Sequence, residues 1–436
     1  MANLFGQTKI RKEERAMRRG RFLKGCVVFG ICFLMFCIHA MAAEKVLKIG
    51  VQAPFTGPTA KGGEDMRAAA MMAMEKINYT VGDYKIELVW IDCQSDPAKG
   101  ASAYAEAVER KGIQAGVINY HSSVAVALMD VCAHYKIHHA FSMGGTAVVN
   151  EKWRSNPEKY NYWGPKFWPD PATLVGGYSQ CLNNAIEKGI FKPRNKLVAI
   201  YGEDTDWGRS EGKAFEKDFT NTGWKVVAQD YFLSTQTDFY QQMSKYKKAE
   251  VAVIAGTSSN VAAMSAFIKQ AQEVGVKAVI IADGLGWIGD WYTVTGSASD
   301  YVLDMIPQLT TKQSKEWAEA IESRFKIKPS AAIAGISYDA TNFFIKVLRH
   351  TLEKYGKLDK ETIHNAFVED VNTGKLTFTE KDGAIIMKEY RFNQQTMPDP
   401  VVGPGAYFFP VIQYKGGKAD IVYPADWAVR AFEQPK

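Results

Sequence analysis

Residues 48–78 read KIGVQAPFTGPTAKGGEDMRAAAMMAMEKIN, and their patterning decides the fold class. Lys48 to Val51 form a short apolar run of strand character, and Thr56-Gly57-Pro58 is turn chemistry. Beyond the turn Met66, Ala69, Ala70, Ala73, Met74 and Ile77 recur at helical spacing. The stretch therefore predicts a strand, a loop and a helix in succession. Gly57, Gly62 and Gly63 fall in that loop, where a missing Cβ lets a ligand or a second lobe approach the backbone. In folds built from such units, ligands sit at the carboxyl ends of the strands.

The alternation continues downstream. Residues 84–91 read as a strand, and Asp96-Pro97 opens a helix with aspartate as cap and proline in the first turn. A third strand spans 113–118, followed by a loop at 119–123 and a helix to about His134; a fourth spans 137–141 and ends in Ser142-Met143-Gly144-Gly145-Thr146. Repeated βα units imply a parallel sheet covered by helices on both faces. Residues 150–171, with Trp153, Tyr160, Tyr162, Trp163, Phe167 and Trp168, interrupt the pattern and read as a boundary. Beyond it a helix over about 171–188 and strands at 196–201, 225–229, 251–255 and 277–282 describe a second doubly wound lobe. From Tyr301 the chain returns: 302–306 is extended, helices follow at about 311–324, 338–353 and 360–367, and the tail has β-like runs at 375–378, 384–392, 406–414 and 419–422.

The 436 residues have the composition of an ordinary globular protein, with a formal net charge of +6. Most of that charge is local. Removing the eight basic and two acidic residues of 1–43 from totals of 53 and 47 leaves 45 of each, so no nucleic-acid footprint is expected. Residues 1–43 combine a basic start, an apolar core from Gly25 to Ile38 and small residues at Ala40-Met41-Ala42-Ala43. This reads as a secretory signal peptide cleaved after Ala42 or Ala43, an uncleaved anchor being the alternative. Of six cysteines, Cys93, Cys132 and Cys181 remain in the mature chain, an odd number that reads as buried thiols with at most one bridge.

Catalytic signatures are scarce. Gly-x-Ser-x-Gly, His-Glu-x-x-His and the P-loop pattern are all absent. Gly284-Leu-Gly286-Trp-Ile-Gly289 matches the dinucleotide fingerprint, but 290–299 is a poor helix and Trp287 would crowd a pyrophosphate, so a tight loop at a cleft rim is the better reading. His134, His138 and His139 suggest a metal cluster, yet alternation in the strand points the last two to opposite faces. No cofactor, metal or enzymatic activity is expected. What remains is a set of polar strand-end loops: Ser122-Ser123, Gly144-Gly145-Thr146, Gly256-Thr257-Ser258 and Asp283, with Trp207 near them. Free N–H groups and hydroxyls at such ends bind carboxylates.

Together with DCQSDPAKGASAYAEAV, HSSVAVALMDVC, KLVAIYGEDTDWGRS, VIIADG and GISYDATNFF, the opening stretch resembles the periplasmic solute-binding proteins of branched-chain amino-acid ABC importers. The resemblance implies the type I periplasmic-binding fold, an α/β architecture of two doubly wound parallel-sheet lobes joined by three crossings. By that analogy 1–43 is the signal peptide, 44–165 plus 307–395 form lobe one, and 166–306 plus 396–436 form lobe two. It also implies a periplasmic protein that closes on an apolar or aromatic amino acid and delivers it to a membrane permease. A binding protein for an aromatic acid, amide or related compound, in import or sensing, is the alternative. By position, Ser122 or Ser123 matches the carboxylate-binding serine, Gly144, Gly145 and Thr146 the backbone-and-threonine loop, Trp207 an aromatic wall and Asp283 the ammonium partner. The sequence departs where leucine-binding members carry tyrosines, having Gly62 in the first loop and Thr257 after the second-lobe glycine, and where a cysteine pairs with the Cys93 position it has His121.

Overall fold

In the computed structural model, which describes residues 45–435, the opening stretch is the strand β1 (Lys45–Ala53), a short loop and the helix Ala60–Glu75. The expected signal peptide over 1–43 lies outside the described residues. Ile49, Val51 and Ala53 are fully buried, as are Met66, Ala69, Ala70, Ala73 and Met74 on the inward stripe of the helix. The tight connection depends on Gly63, because a Cβ there would stand 2.1 Å from the carbonyl oxygen of Pro54. The helix start thus seats directly on the strand end.

Around β1 the sheet is completed by β2 (Thr80–Val81), β3 (Tyr84–Asp92), β4 (Ala115–Val117) and β5 (His139–Ala140), in the order β2-β3-β1-β4-β5. β1, β4 and β5 run parallel. The strands expected at 113–118 and 137–141 are shorter than the apolar runs that announce them. Ile118 (φ 54°) and Phe141 (φ 58°) adopt left-handed backbone and turn the chain out of the sheet.

The second sheet is built from β6 (Leu197–Glu203), β7 (Lys225–Phe232), β8 (Val253–Thr257), β9 (Val279–Asp283) and β10 (Leu303–Met305). These five pair parallel with one another. The tail contributes a small hairpin, β11 (Phe378–Thr379) with β12 (Glu389–Tyr390), and then β13 (Val411–Lys415) and β14 (Lys418–Tyr423). The last two join the second sheet antiparallel, giving β14-β13-β10-β9-β8-β6-β7. That sheet is therefore mixed where the sequence pattern implies a parallel one. Between β10 and β13 the chain returns to the first sheet, where the helices Lys312–Phe325 and Ile336–Tyr355 pack on Ala60–Glu75. The interval 150–171 is not a bare linker, since it begins inside the helix Ala147–Ser155. Its end is tied to the segment before β13 by a buried ion pair, Lys166 Nζ to Asp399 Oδ1 at 3.0 Å, with Asn150 Nδ2 donating to Asp399 at 2.7 Å. Among the described residues no helix is long and apolar enough to cross a membrane.

One buried side chain in the opening unit lacks compensation. Asp65 is fully buried in the helix Ala60–Glu75, and neither carboxyl oxygen has a hydrogen-bond partner. Desolvation pushes its pKa up to about 8, with Lys61 opposing. The folded state then holds a proton that the unfolded state releases near pH 4, so stability falls as pH rises from about 4 to 8, by about 1.4 kcal/mol per pH unit at most. Asp65→Asn is expected to raise the melting temperature at pH 8, to leave it nearly unchanged at pH 4 and to flatten the slope between. Asp339, held at about 7 by the same cause, will keep a residual slope. Thermal melts followed by circular dichroism from pH 4 to 9 test this; a slope equal to that of wild type would show that Asp65 does not titrate there.

Candidate functional site

The carboxyl ends of both sheets open onto one cavity of about 300 Å³. From the first sheet come Thr59 after β1, Ser95 after β3, and Tyr120 to Val124 after β4; from the second come Glu203 to Thr205 and Trp207 after β6, Ser259 after β8 and Trp287 after β9. Trp168, on the connection between the sheets, completes the wall. This is where an open α/β sheet places its ligands.

On one side the helix Ser122–Tyr135 begins. Its cap residue His121 makes no side-chain cap bond, so the first-turn N–H groups keep their donor capacity beside the Ser122 and Ser123 hydroxyls. The His121 ring is turned away to Thr59 Oγ1 at 2.8 Å, and desolvation lowers its pKa to about 4, leaving it neutral at physiological pH. Opposite stands Glu203, the last residue of β6 and only 1 % exposed. Burial pushes its carboxyl upward, opposed by hydrogen bonds from Ser259 N at 2.8 Å, Ser259 Oγ at 2.8 Å and Thr205 Oγ1 at 2.9 Å. Among the described residues no lysine or arginine lines the cavity.

Aromatic rings form the remaining walls. Trp287 lies 5.5 Å from Trp168, 5.6 Å from Trp207 and 6.4 Å from Tyr120, at interplanar angles of 74°, 57° and 84°. The steep angles make a box rather than a stack. The Tyr120 ring also fills the space above Gly62, where a Cβ would be 2.6 Å from the ring. The openings at Gly62 and Gly63, expected to admit a ligand or a second lobe, are thus occupied by the chain itself.

The residues singled out from sequence divide accordingly. Ser122, Ser123 and Trp207 line the cavity. Gly144, Gly145 and Thr146 do not line it but stand immediately behind. A Cβ on Gly145 would come within 2.7 Å of Trp168 Cδ1 and 2.8 Å of Trp207 Cζ3, so only glycine lets both indoles close on the loop. Thr146 caps the helix Ala147–Ser155 and donates to the Asp206 carbonyl at 2.9 Å, bridging to the second sheet's side. Thr257 is fully buried beneath Trp207: it accepts the indole N–H at 2.9 Å and donates to the Asp283 carbonyl at 2.7 Å.

Asp283 is likewise behind the wall. Its carboxyl accepts from Tyr178 Oη at 2.9 Å and lies against Glu211. Desolvation raises both acids well above ordinary carboxyl values, reinforced at Asp283 by the charge of Asp304 and at Glu211 by that of Asp283. Asp283 does not face the cavity. Glu203, which does face it, was not singled out from sequence. The signal was available, since it is an acid ending an apolar strand, the same feature that drew attention to Asp283.

The other sequence candidates resolve plainly. In the glycine-rich segment the N–H groups of Gly284 and Gly286 are taken by Asp304 at 3.0 and 2.8 Å, leaving neither for a phosphate. His138 Nδ1 meets His364 Nδ1 at 3.1 Å while His139 Nδ1 meets Tyr104 Oη at 3.2 Å, and among the described residues no group of three or more potential ligands could hold a metal. Cys93, Cys132 and Cys181 are free, buried thiols.

Residues 46–394 match the model of the periplasmic binding protein family. The leucine-, isoleucine-, valine-, threonine- and alanine-binding protein of Pseudomonas aeruginosa is 26% identical over 356 residues, covering 79% of this chain and 89% of that protein. Among solved structures, the branched-chain amino acid substrate-binding protein LivJ of Streptococcus pneumoniae, in complex with isoleucine, superposes with a TM-score of 0.68 at 18% identity, covering 86% of this chain and 98% of that one. The solute-binding protein of an ABC transporter from Rhodopseudomonas palustris BisB5, in complex with 3,4-dihydroxybenzoic acid, gives 0.68 at 19% identity over 86% and 95% of the two chains. These structural likenesses establish the type I periplasmic-binding fold.

Gly145→Ala is expected to displace the two indoles behind which it sits, at a cost of about 1–3 kcal/mol for overpacking. The measurement is near-ultraviolet circular dichroism with a chemical melt. A tryptophan spectrum and midpoint identical to wild type would mean that the loop yields freely.

Proposed function

The chain belongs to the periplasmic binding protein family, and from that premise we propose that it is the extracytoplasmic solute-binding component of an ABC importer, holding a small ligand's carboxylate on Ser122, Ser123 and the first turn of the helix Ser122–Tyr135. The observation that carries this reading is the single cavity shared by the carboxyl ends of two sheets, with hydroxyls and helix N–H groups on one side and indoles around it. An apolar or aromatic amino acid is the ligand class favoured by the relatives' named ligands and by the aromatic walls. An aromatic acid or amide is the second reading, supported by the dihydroxybenzoate-binding neighbour and by the three tryptophans.

In this proposal residues 1–43 direct export, a membrane permease receives the ligand, and the segments 44–165 plus 307–395 and 166–306 plus 396–436 move as two lobes. Trp207 forms a wall, Thr257 fixes that wall through the indole N–H, and Gly144, Gly145 and Thr146 support it from behind. Bonds between the two sides, such as Tyr120 Oη to the Ser259 carbonyl at 3.2 Å, would have to break for the lobes to part.

Isothermal titration with the twenty amino acids and a set of substituted benzoates is the direct test. Saturable binding of an amino acid supports the first reading and binding of benzoates alone the second; silence toward both sets would overturn the proposal. With the ligand in hand, Ser122→Ala removes a hydrogen bond to a charged group, worth roughly 1.5–3 kcal/mol, so affinity should fall by about ten- to a hundred-fold. An unchanged affinity would remove Ser122 from the site. Small-angle scattering should also give a smaller radius of gyration with saturating ligand than without, and an identical radius would exclude lobe closure.

A further inference from the structure

We infer that the amino-terminal edge of the second sheet is an electrostatic docking surface for an anionic phospholipid bilayer. The edge lies at the end of that sheet opposite the cavity, so the inference adds a partner to the solute-binding role.

Strand order places the cations. β9, β8, β6 and β7 are consecutive and parallel, so their starts share one edge, about 15 Å across at the usual strand spacing. Lys277 lies just before β9, Lys247 and Lys248 end the helix Tyr240–Lys248 that leads into β8, Lys192, Arg194 and Lys196 precede β6, and Lys225 opens β7. Lys188 follows the helix Gly176–Glu187 into the same edge. Hydrogen bonds knit these segments together: Lys225 N donates to the Lys196 carbonyl at 2.8 Å, Asn195 Nδ2 to the Glu250 carbonyl at 3.0 Å, and the Arg194 guanidinium to the Lys277 carbonyl. All eight cationic residues are exposed.

Their charge is uncompensated. Among the described residues none of the eight has a carboxylate within ion-pairing distance, whereas Lys245 on the same helix is paired with Asp230 at 2.7 Å. The acids on these segments are Glu187, Glu250 and Glu273, and Glu273 accepts from the Tyr240 hydroxyl. Beyond residue 43 the chain carries as many acids as bases, so the excess at this edge is a matter of placement and not of composition.

Helix ends explain part of it. Lys247 Nζ donates to the Val274 carbonyl at 2.7 Å, and cations in a last turn complement free carbonyls. Lys192, Arg194, Lys196 and Lys225 belong to no helix, and like charges on neighbouring strand starts repel one another, so the row destabilises the fold unless an anion faces it. Cations spread along an edge face an extended anionic surface better than one small ion. A cavity of about 180 Å³ opens within the row, lined by Arg194 and Lys277 together with Phe191 and Pro193, and it offers a headgroup phosphate a place between two cations. Ile190 is 40 % exposed between Lys188 and Lys192, an apolar contact that a lipid interface rewards and a nucleic acid does not. In a family of periplasmic proteins, the extended anionic surface at hand is the membrane.

Vesicle sedimentation tests this with the exported protein as recovered from the periplasm, comparing vesicles of mixed phosphatidylglycerol and phosphatidylcholine with vesicles of phosphatidylcholine alone. Wild type should bind the anionic vesicles only, and more weakly at about 0.15 M salt than at about 0.01 M. Each cation near such a surface is worth about five-fold in partition. Combining Arg194→Gln, Lys196→Gln, Lys225→Gln and Lys277→Gln should therefore weaken binding by about a hundred-fold or more. The set Lys192→Gln, Lys225→Gln and Lys248→Gln should lose about ten-fold or more and covers the case in which the first variant fails to fold. Lys315→Gln, Lys326→Gln, Lys328→Gln and Lys381→Gln together remove as much charge as the first variant but away from this edge, and should leave binding within about two-fold of wild type. Silence toward anionic vesicles, equal binding to both vesicle types, or an equal loss in the last variant would overturn the inference. Release from the vesicles by inorganic phosphate at matched ionic strength would overturn it in favour of a single-anion site at Arg194 and Lys277. Tighter binding to duplex DNA than to the anionic vesicles would overturn it in favour of a nucleic acid. Titration of the same variants with the amino acids and benzoates keeps this outcome separate from that of the solute-binding reading, because the cavity lies at the other end of the strands.

Discussion

The cavity owes its shape to one buried carboxylate on its far side. Asp304, in β10, accepts the N–H groups of Gly284, Gly286 and Met305 and the hydroxyl of Tyr414, at 2.7 to 3.0 Å. These contacts fold the segment after β9 into a tight turn and bind it to β13. The turn presents Trp287, and Trp168, Trp207 and Tyr120 are placed around that ring. The same carboxyl reaches Asp283 and Glu211 and reinforces the upward shift that burial gives them. One buried carboxyl with four hydrogen-bond donors therefore sets the conformation of a loop and bears on the electrostatics of its neighbours.

Much of this architecture was legible in the sequence. The opening strand, turn and helix were visible because burial on one face leaves a period, and the strands of the second sheet appeared as apolar runs because both faces are covered. The sheet edge was not. β13 and β14 look like ordinary alternating strands, and nothing in an alternating pattern states which sheet accepts it or in which direction. The sharp ends of β4 and β5 depend on Ile118 and Phe141 taking left-handed backbone, a choice made by tertiary contacts against the preference of both side chains.

The site was legible in outline only. Ser122, Ser123 and Trp207 line the cavity because strand ends and helix starts converge there in any fold of this kind. Asp283 and Glu203 are alike in sequence, each an acid closing an apolar strand. What distinguishes them is the company they keep. Asp283 meets Glu211 and Tyr178, whereas Glu203 meets three hydroxyls and an N–H group, and those partners, Thr205 apart, come from segments 55 to 105 residues away. Protonation state is a tertiary property, and sequence spacing does not carry it.

The bonds between the first-sheet and second-sheet sides bear on how such a protein could be switched. Ser123 Oγ accepts from Asp206 N at 3.4 Å, Ser210 Oγ accepts from Ala147 N at 3.0 Å, Thr146 Oγ1 donates to the Asp206 carbonyl at 2.9 Å, and Tyr120 Oη donates to the Ser259 carbonyl at 3.2 Å. All four are neutral, and bonds of that kind contribute about 0.5–1.5 kcal/mol each in net terms. Their groups can return to water when the mouth opens, which reduces the difference further. Closure held by charged pairs would be harder to reverse, and closure held by nothing would leave the ligand to supply the whole of the ordering cost. A seam of weak neutral bonds lies between these limits. A ligand that contacts both sides needs only a differential affinity of a few kcal/mol to decide the equilibrium.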